Sequence, residues 1–168
     1  MRNFISEDDI EQAILQKLEG DPFQYGILRC DPSPDKRELL PDGTGRSSKK
    51  ECVLPLILRE ALARLNPDIP GEKLEEIARD LCRDFSATGM TATNYKYYNQ
   101  IRNGIKISLR RNGKEDFDFV KLVDFDRPEN NTFTAVSQMW IQGRVYWRRP
   151  DVLIFINGLP MVFVELKN

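Results

Sequence analysis

The chain has 168 residues, 40% of them hydrophobic and 30% charged, values of an ordinary globular protein that exclude a disordered or fibrous chain. The formal net charge is −1, so no overall positive field would draw the protein onto nucleic acid, and such binding would need a local patch. No apolar run approaches the roughly eighteen residues that span a membrane. The acidic beginning does not resemble a signal peptide, so we expect a cytoplasmic protein with no membrane contact.

The sequence contains no histidine. This excludes a Ser-His-Asp triad, a Cys-His pair and every histidine-based zinc site within the chain. The three cysteines, Cys30, Cys52 and Cys82, are far apart, which favours reduced thiols over a disulfide framework or a metal knuckle. Any catalysis must therefore rest on carboxylates, lysine, hydroxyls or a metal held by oxygen ligands.

Periodic apolar residues and capping signals predict helices in the first two thirds of the chain. The predicted helices run from the N-cap Ser6 to about Leu18, from Cys52 to about Leu65, from Pro70-Gly71 to about Phe85, and from Thr93 to Arg102. Residues 23–50 are rich in Pro, Gly, Ser and charge and are predicted to be mostly loop. Within them, Gly43–Ser47 lacks the spacing of a phosphate loop and is interpreted as a mobile loop.

From Ile105 onward the pattern changes to strands grouped in pairs around short turns. The pairs are Ile105–Arg110 with Phe117–Phe125, Phe133–Ile141 with Val145–Arg148, and Val152–Ile156 with Met161–Leu166. The last two strands are continuous apolar runs, which are typical of the middle of a sheet covered on both faces. We therefore predict an α/β fold with a mixed central β-sheet flanked by helices, in one domain over residues 1–168, and we expect this domain to be part of a longer subunit.

The chemistry predicted for this chain lies at the ends of the last two strands. Asp151 lies just before one strand, and Glu165 and Lys167 lie at the end of the next. Two carboxylates can hold one or two Mg²⁺ ions, and a lysine can orient water or stabilise charge on a phosphate. Lys167 is the only lysine with an acidic residue two places before it. From the pattern alone an alternative stays open, in which Glu165 and Lys167 only mark a strand end that reaches solvent.

The turn between the two strands decides whether these side chains share a face. A two-residue type I′ turn at Asn157-Gly158 would project Asp151 and Glu165 from opposite faces of the sheet. A three-residue loop from Ile156 to Gly158 would bring them to the same face. If the two carboxylates share a metal, we therefore expect the three-residue loop, or a nearby bulge that restores the parity of the strand by returning Asp151 and Glu165 to the same face.

Two further groups are candidate site residues. Glu11 lies on the apolar stripe of the first helix, and it is either a third site carboxylate or a rim residue, whereas Glu7 is interpreted as a first-turn residue that complements the helix dipole. Arg144, Arg148 and Arg149, interleaved with aromatic residues, are candidates for DNA-backbone binding. The alternative for the arginines is a charged, solvated edge strand.

A long string of residues resembles the N-terminal nuclease domain of the restriction (motor) subunit of type I restriction–modification enzymes. It comprises Arg148-Arg149-Pro150-Asp151, Asn157-Gly158-Leu159-Pro160 and Glu165-Leu166-Lys167-Asn168, preceded by Asn130-Asn131, Phe133 and Gln138. The upstream segments Ala63–Pro67, Asn103–Ile105 and Leu122–Phe125 are similar as well.

The resemblance implies a restriction-endonuclease-like PD-(D/E)xK core and Mg²⁺-dependent cleavage of double-stranded DNA. Asp151 and Glu165 would be metal ligands, Lys167 the catalytic lysine and Glu11 the helix carboxylate. Members of this family carry an ATP-driven motor and work with methyltransferase and specificity subunits. No motor motif occurs here, so we expect ATP to be used only outside this domain and the DNA site to be chosen by a partner.

Two alternatives remain beside this hypothesis. One is a non-catalytic module on the same scaffold that holds DNA or docks subunits. The other is a RecB-like nuclease outside restriction.

Overall fold

The computed structural model describes residues 6–83, 90–111 and 114–167. Within these residues the chain forms four α-helices, two short 3-10 helices and eight β-strands. The helices are α1 (Glu7–Glu19), α2 (Pro55–Leu65), α3 (Gly71–Leu81) and α4 (Met90–Asn103), with 3-10 helices at Pro34–Lys36 and Pro128–Asn130. The strands are β1 (Gly26–Arg29), β2 (Ile105–Arg111), β3 (Lys114–Val120), β4 (Phe133–Ser137), β5 (Ile141–Gln142), β6 (Trp147–Arg148), β7 (Val152–Ile156) and β8 (Leu159–Val164). No helix of the described ranges has the length and apolarity needed to cross a membrane.

The helix ends follow local capping chemistry. Ser6 caps α1 through a reciprocal pair of bonds with Asp9, in which each side chain accepts the other residue's backbone N–H. The start predicted for α2 at Cys52 is wrong, because the helix begins with Pro55, whose fixed φ and missing N–H suit the first helical position. The third helix ends at Leu81, before the predicted Phe85, and Phe85 itself lies outside the described residues.

The main sheet has four strands in the order β1-β4-β7-β8. The first pair, β1 with β4, is parallel, and the pairs β4–β7 and β7–β8 are antiparallel. Two separate hairpins, β2–β3 and β5–β6, complete the strands. The mixed sheet with flanking helices confirms the predicted α/β fold class.

Alternate residues of the central strand β7 face two different helices. Val152 packs with Leu15 of α1, and Leu153 and Phe155 pack with Leu54 at the start of α2. A third cluster joins α2, α3 and the β2–β3 hairpin around Leu58 and Leu122. The sheet thus has α1 on one face and α2 on the other. Glu11 of α1 lies near the beginning of β7.

The last strand, β8, lies at the edge of the sheet and not in its middle. Met161, Val162 and Phe163 are 40–58% exposed. The prediction that β8 is covered on both faces is therefore wrong for the described residues. A continuous apolar run does not by itself tell a central strand from an edge strand, because the position of a strand depends on which other segments pair with it.

Two other strands are shorter than predicted. The strand from Phe133 was predicted to reach Ile141, but it ends at Ser137 because Gln138 adopts a left-handed backbone conformation with φ of 57°. The strand predicted over Phe117–Phe125 occupies Lys114–Val120, since the next backbone N–H, of Lys121, is bonded to the Asn66 side chain at 2.7 Å. The predicted turn at Asn112-Gly113 lies outside the described residues.

Residues 23–50 are more ordered than the predicted loop. They contain β1 and a buried ion network in which the Asp42 carboxylate binds Arg46 at 2.6 Å and Lys49 at 2.8 Å. The Arg46 side chain is fully buried and also donates to the main-chain oxygens of Glu51 and Trp140. The interpretation of Gly43–Ser47 as a mobile loop is thus wrong, because Arg46 is enclosed by this ion network and by Trp140, which lies 94 positions away in the sequence.

Candidate active site

Asp151 is fixed by hydrogen bonds at the beginning of β7. Its Oδ2 accepts the N–H of Leu166 at 2.6 Å, and its main-chain oxygen accepts the N–H of Gln138 at 3.0 Å. Its Oδ1 lies 3.4 Å from Nε2 of Gln138. The carboxylate is half-buried, so it is held in place by β4 and by the segment after β8 while remaining open to solvent.

The turn between β7 and β8 has two residues, and a bulge follows it. Ile156 pairs with Leu159 across Asn157-Gly158, whose φ values of 53° and 79° are those of a type I′ turn. Phe155 pairs with Pro160 but Ile154 pairs with Val162, so Met161 is an extra residue in β8. The predicted three-residue loop is absent, and the alternative prediction of a bulge that restores the parity is confirmed.

The bulge determines where Glu165 lies relative to Asp151. Val152 pairs with Val164, and continuing this register by one residue sets Asp151 opposite Glu165 on the same side of the sheet. Glu165 and Lys167 are both exposed. Among residues 6–83, 90–111 and 114–167, neither of their side chains forms a hydrogen bond or an ion pair with another described residue.

Glu11 is brought to Asp151 from the far end of the chain. Its side chain is buried, with the residue only 5% exposed, and its Oε2 accepts a hydrogen bond from Nε2 of Gln138. Burial raises the pKa of Glu11, and the charge of Asp151 raises it further, although the bond from Gln138 and the charge of Arg149 oppose this. Glu7 is exposed. The structure therefore brings Glu11, and not Glu7, to the carboxylate of β7.

Gln138 was not predicted as a site residue, although it connects two of the predicted ones. It lies directly after β4, and its left-handed backbone conformation turns its side chain to Glu11 and Asp151. Glutamine has no spacing rule that would identify it in a sequence. Its role becomes visible only when α1, β4 and β7 are assembled.

The three arginines lie on and beside the β5–β6 hairpin, next to Asp151 in sequence. Arg149 donates to the main-chain oxygen of Pro32 at 2.6 Å, and its guanidinium lies 5.2 Å from the centre of the Trp140 ring. Arg148 lies 5.7 Å from the centre of the Tyr146 ring. Arg144 is exposed at the turn of the hairpin. Arg148 and Arg144 thus present positive charge to solvent, whereas Arg149 is partly committed to structural contacts.

The residues at the site suit a hard divalent cation. Asp151, Glu165 and Glu11 offer carboxylate oxygens, which Mg²⁺ prefers, and this ion commonly uses one or two protein carboxylates and keeps several waters. The described part of the chain contains no group of three or more His, Cys, Asp or Glu side chains already gathered as a metal site. Carboxylate oxygens without thiolate or imidazole partners are ligands that suit Mg²⁺ better than Zn²⁺.

The mixed sheet flanked by helices defines the chain, as a class, as an α/β domain with carboxylates at the open end of its sheet. The family model described as "Type I restriction enzyme R protein N terminus" matches residues 4–168 of the chain. The chain belongs to this family.

Two curated relatives cover nearly the whole chain. The "Type I restriction enzyme HindI endonuclease subunit" of Haemophilus influenzae is 32% identical over 165 residues, which are 98% of this chain and 15% of that protein. The "Putative type I restriction enzyme MjaIXP endonuclease subunit" of Methanocaldococcus jannaschii is 27% identical over 168 residues, covering 95% of this chain and 15% of that protein. The chain therefore spans about 15% of the length of these relatives.

Proposed function

We propose that this chain is the nuclease domain of a type I restriction complex and cleaves double-stranded DNA with the help of Mg²⁺. The observation that carries the proposal is the pairing of Val152 with Val164 beyond the bulge at Met161, since continuing this register by one residue sets Asp151 opposite Glu165. Membership of the R protein family supports a role in restriction and speaks against a RecB-like nuclease outside it.

Each side chain has a distinct proposed task. Asp151 and Glu165 hold the cation, and Glu11, buried beside Asp151, adds a third carboxylate to the same end of the sheet. Mg²⁺, when bound, would polarise the phosphodiester and lower the pKa of a bound water. The exposed ammonium of Lys167 stabilises the negative charge that develops on the phosphate. Arg148 and Arg144 bind the DNA backbone beside the site.

The remaining partners follow from the family. The curated relatives are named as endonuclease subunits of type I restriction enzymes, and they are far longer than this chain. We propose that ATP is hydrolysed by the part of such a subunit that lies outside this chain. We propose that methyltransferase and specificity subunits select the DNA site. The domain itself supplies the cleavage chemistry.

The proposal is tested with Asp151→Asn and Lys167→Ala in the full-length natural protein, assembled with its partners. We expect both variants to lose Mg²⁺-dependent cleavage by at least about a hundredfold, since each removes a group that acts on the transition state, while ATP hydrolysis stays at the parental level. Glu60→Gln is the matched control, because Glu60 is an exposed carboxylate on α2. Parental cleavage by either variant would contradict the proposal.

A second candidate is a module that holds DNA without cutting it. The exposed arginines of the β5–β6 hairpin, together with Val145 and Tyr146, which are 73% and 68% exposed, favour a binding surface there. This candidate predicts that Asp151→Asn leaves both DNA binding and cleavage by the complex unchanged. The cleavage assay therefore separates the two functions.

A further inference from the structure

The Gln138 carboxamide lies between two carboxylates from different elements. Its Nε2 donates to Oε2 of Glu11 on α1 and lies 3.4 Å from Oδ1 of Asp151 at the start of β7. The backbone N–H of Gln138 also donates to the main-chain oxygen of Asp151 at 3.0 Å. One residue thus contacts both carboxylates and fixes their separation.

The orientation of this carboxamide leaves its oxygen without a partner. Oε1 of Gln138 is buried and accepts no hydrogen bond from any described residue. Leaving a buried acceptor unpartnered is unfavourable, and so is a positive φ at a residue other than glycine. An apolar side chain would fill the position without leaving a buried acceptor unpartnered. The conformation is therefore poorly explained by packing alone.

We propose that Gln138 is a positioning residue for the divalent cation. The proposal rests on the proposed function of the site. Nε2 holds Glu11 and Asp151 together against their mutual repulsion, and the unpartnered Oε1 offers a further oxygen to the cation or to its waters. A residue of this kind affects cation affinity and not only folding, as is general for groups that orient metal ligands.

Mn²⁺ binding to the full-length natural protein without nucleotide tests the proposal, measured by calorimetry or by electron paramagnetic resonance. The Mn²⁺ sites that disappear in Asp151→Asn identify the site. We expect Gln138→Met, which keeps the length of the side chain but removes its polar atoms, to weaken Mn²⁺ at this site roughly 10–100-fold. Gln142→Met is the matched control, because Gln142 is exposed on β5 and its backbone N–H donates to the main-chain oxygen of Lys49.

Gln138→Glu gives a second readout with the opposite sign. Without metal, a third carboxylate beside Glu11 and Asp151 should lower the melting temperature. With Mn²⁺ the additional oxygen ligand should raise the melting temperature by more than it rises in the parent protein. A residue with a merely structural role would lower the melting temperature in both cases, with the Mn²⁺ increment unchanged.

The outcomes distinguish this inference from the function on which it rests. If Mn²⁺ binds the parent through Asp151 and Gln138→Met binds it equally well, the positioning role is refuted and the metal site stands. If Gln138→Met does not fold, a Gln138→Glu variant with no larger Mn²⁺ increment than the parent refutes it as well. If the parent has no Mn²⁺ site that depends on Asp151, the proposed function and this inference fail together.

Discussion

Asp42 is a nearly enclosed carboxylate, with its side chain only 8% exposed. It binds the cations of Arg46 and Lys49 and accepts a hydrogen bond from the Thr44 hydroxyl. Burial opposes ionisation of Asp42, but the bonds from Lys49 and Thr44 and the charge of Arg46 outweigh it and hold the pKa of Asp42 well below its ordinary value. The network also reaches the β5–β6 hairpin, since Arg46 donates to the Trp140 main-chain oxygen.

Asp42→Asn should destabilise the protein by about 3–5 kcal/mol at neutral pH, because it leaves two buried cations without their counterion. The lowered pKa sets the sign of the pH dependence. The stability that Asp42 contributes is complete above its unfolded pKa of about 4 and declines as the pH falls below that value. Urea unfolding between pH 6 and pH 2 measures both effects.

The control for this experiment is Asp35→Asn. Asp35 is exposed on the first 3-10 helix, so its replacement should change neither the stability at neutral pH nor its decline in acid. If the parent and Asp42→Asn lose stability in parallel as the pH falls, the low pKa assigned to Asp42 is wrong.

At the scale of elements, the turn between β7 and β8 is packed against the beginning of α2. The N–H of Leu54 donates to the main-chain oxygen of Gly158 at 2.8 Å. A Cβ added at Gly158 would lie 2.6 Å from the Leu54 main-chain oxygen, and the φ of this residue is 79°. Asn157, fully buried, donates from its amide to the main-chain oxygen of Leu122. The Asn-Gly sequence therefore serves both the turn and its packing.

Gly158→Ala should destabilise the protein for two separate reasons. A left-handed alanine costs about 1–2 kcal/mol, and the overlap with α2 adds about 1–3 kcal/mol. Gly71→Ala is the control, since Gly71 has open space around it at the start of α3. Denaturant midpoints of the two variants give the comparison. Equal midpoints would mean that the turn does not require glycine.

The bulge at Met161 can be tested for its effect on the site. Deleting Met161 removes the extra residue of β8, so that the strand after it must either flip its faces or lose its pairing with β7. Met161 is 40% exposed, and Met161→Ala removes most of the same side chain without changing the register. We expect the deletion to abolish Mg²⁺-dependent cleavage, whereas Met161→Ala, which keeps the residue count, should retain it. Cleavage by the deletion variant would show that the parity of Asp151 and Glu165 is unimportant.

At the scale of the whole molecule, charge is balanced, with 25 basic and 26 acidic residues. Attraction to DNA must therefore come from a local surface, for which the β5–β6 hairpin is the candidate. Arg148→Ala should lower DNA affinity at low salt and reduce the slope of log affinity against log salt by about 1, the value for one phosphate contact.

Arg110→Ala serves as the comparison for this measurement. Arg110 is an exposed arginine on the separate β2–β3 hairpin, so its removal changes the net charge equally. Binding titrations of the assembled complex over a range of salt concentrations distinguish the two. An equal change of slope in both variants would indicate a diffuse charge effect and not a contact at Arg148.

The sequence by itself determined the elements whose causes are local. Ser6 and Asp9 specify the start of α1, and Asn157-Gly158 specifies a tight turn, because both depend on neighbours within a few residues. The spacing of Glu165 and Lys167 and their place after an apolar strand also marked the candidate site. Strand geometry alone also showed that a longer loop or a bulge is needed to bring Asp151 and Glu165 to the same face.

Only the tertiary structure decided that a bulge, and not a three-residue loop, brings Asp151 and Glu165 to the same face. It also decided which residues meet at the site. Pro160 beside Met161 is compatible with an edge strand or a bulge, but it does not give the register that places the extra residue at Met161. The contact between Glu11 and Gln138 joins residues 127 positions apart. The exposed edge position of β8 and the contact of Arg46 with Trp140 depend in the same way on which distant segments pack together. Such contacts form through packing between elements, which patterns of local periodicity do not encode.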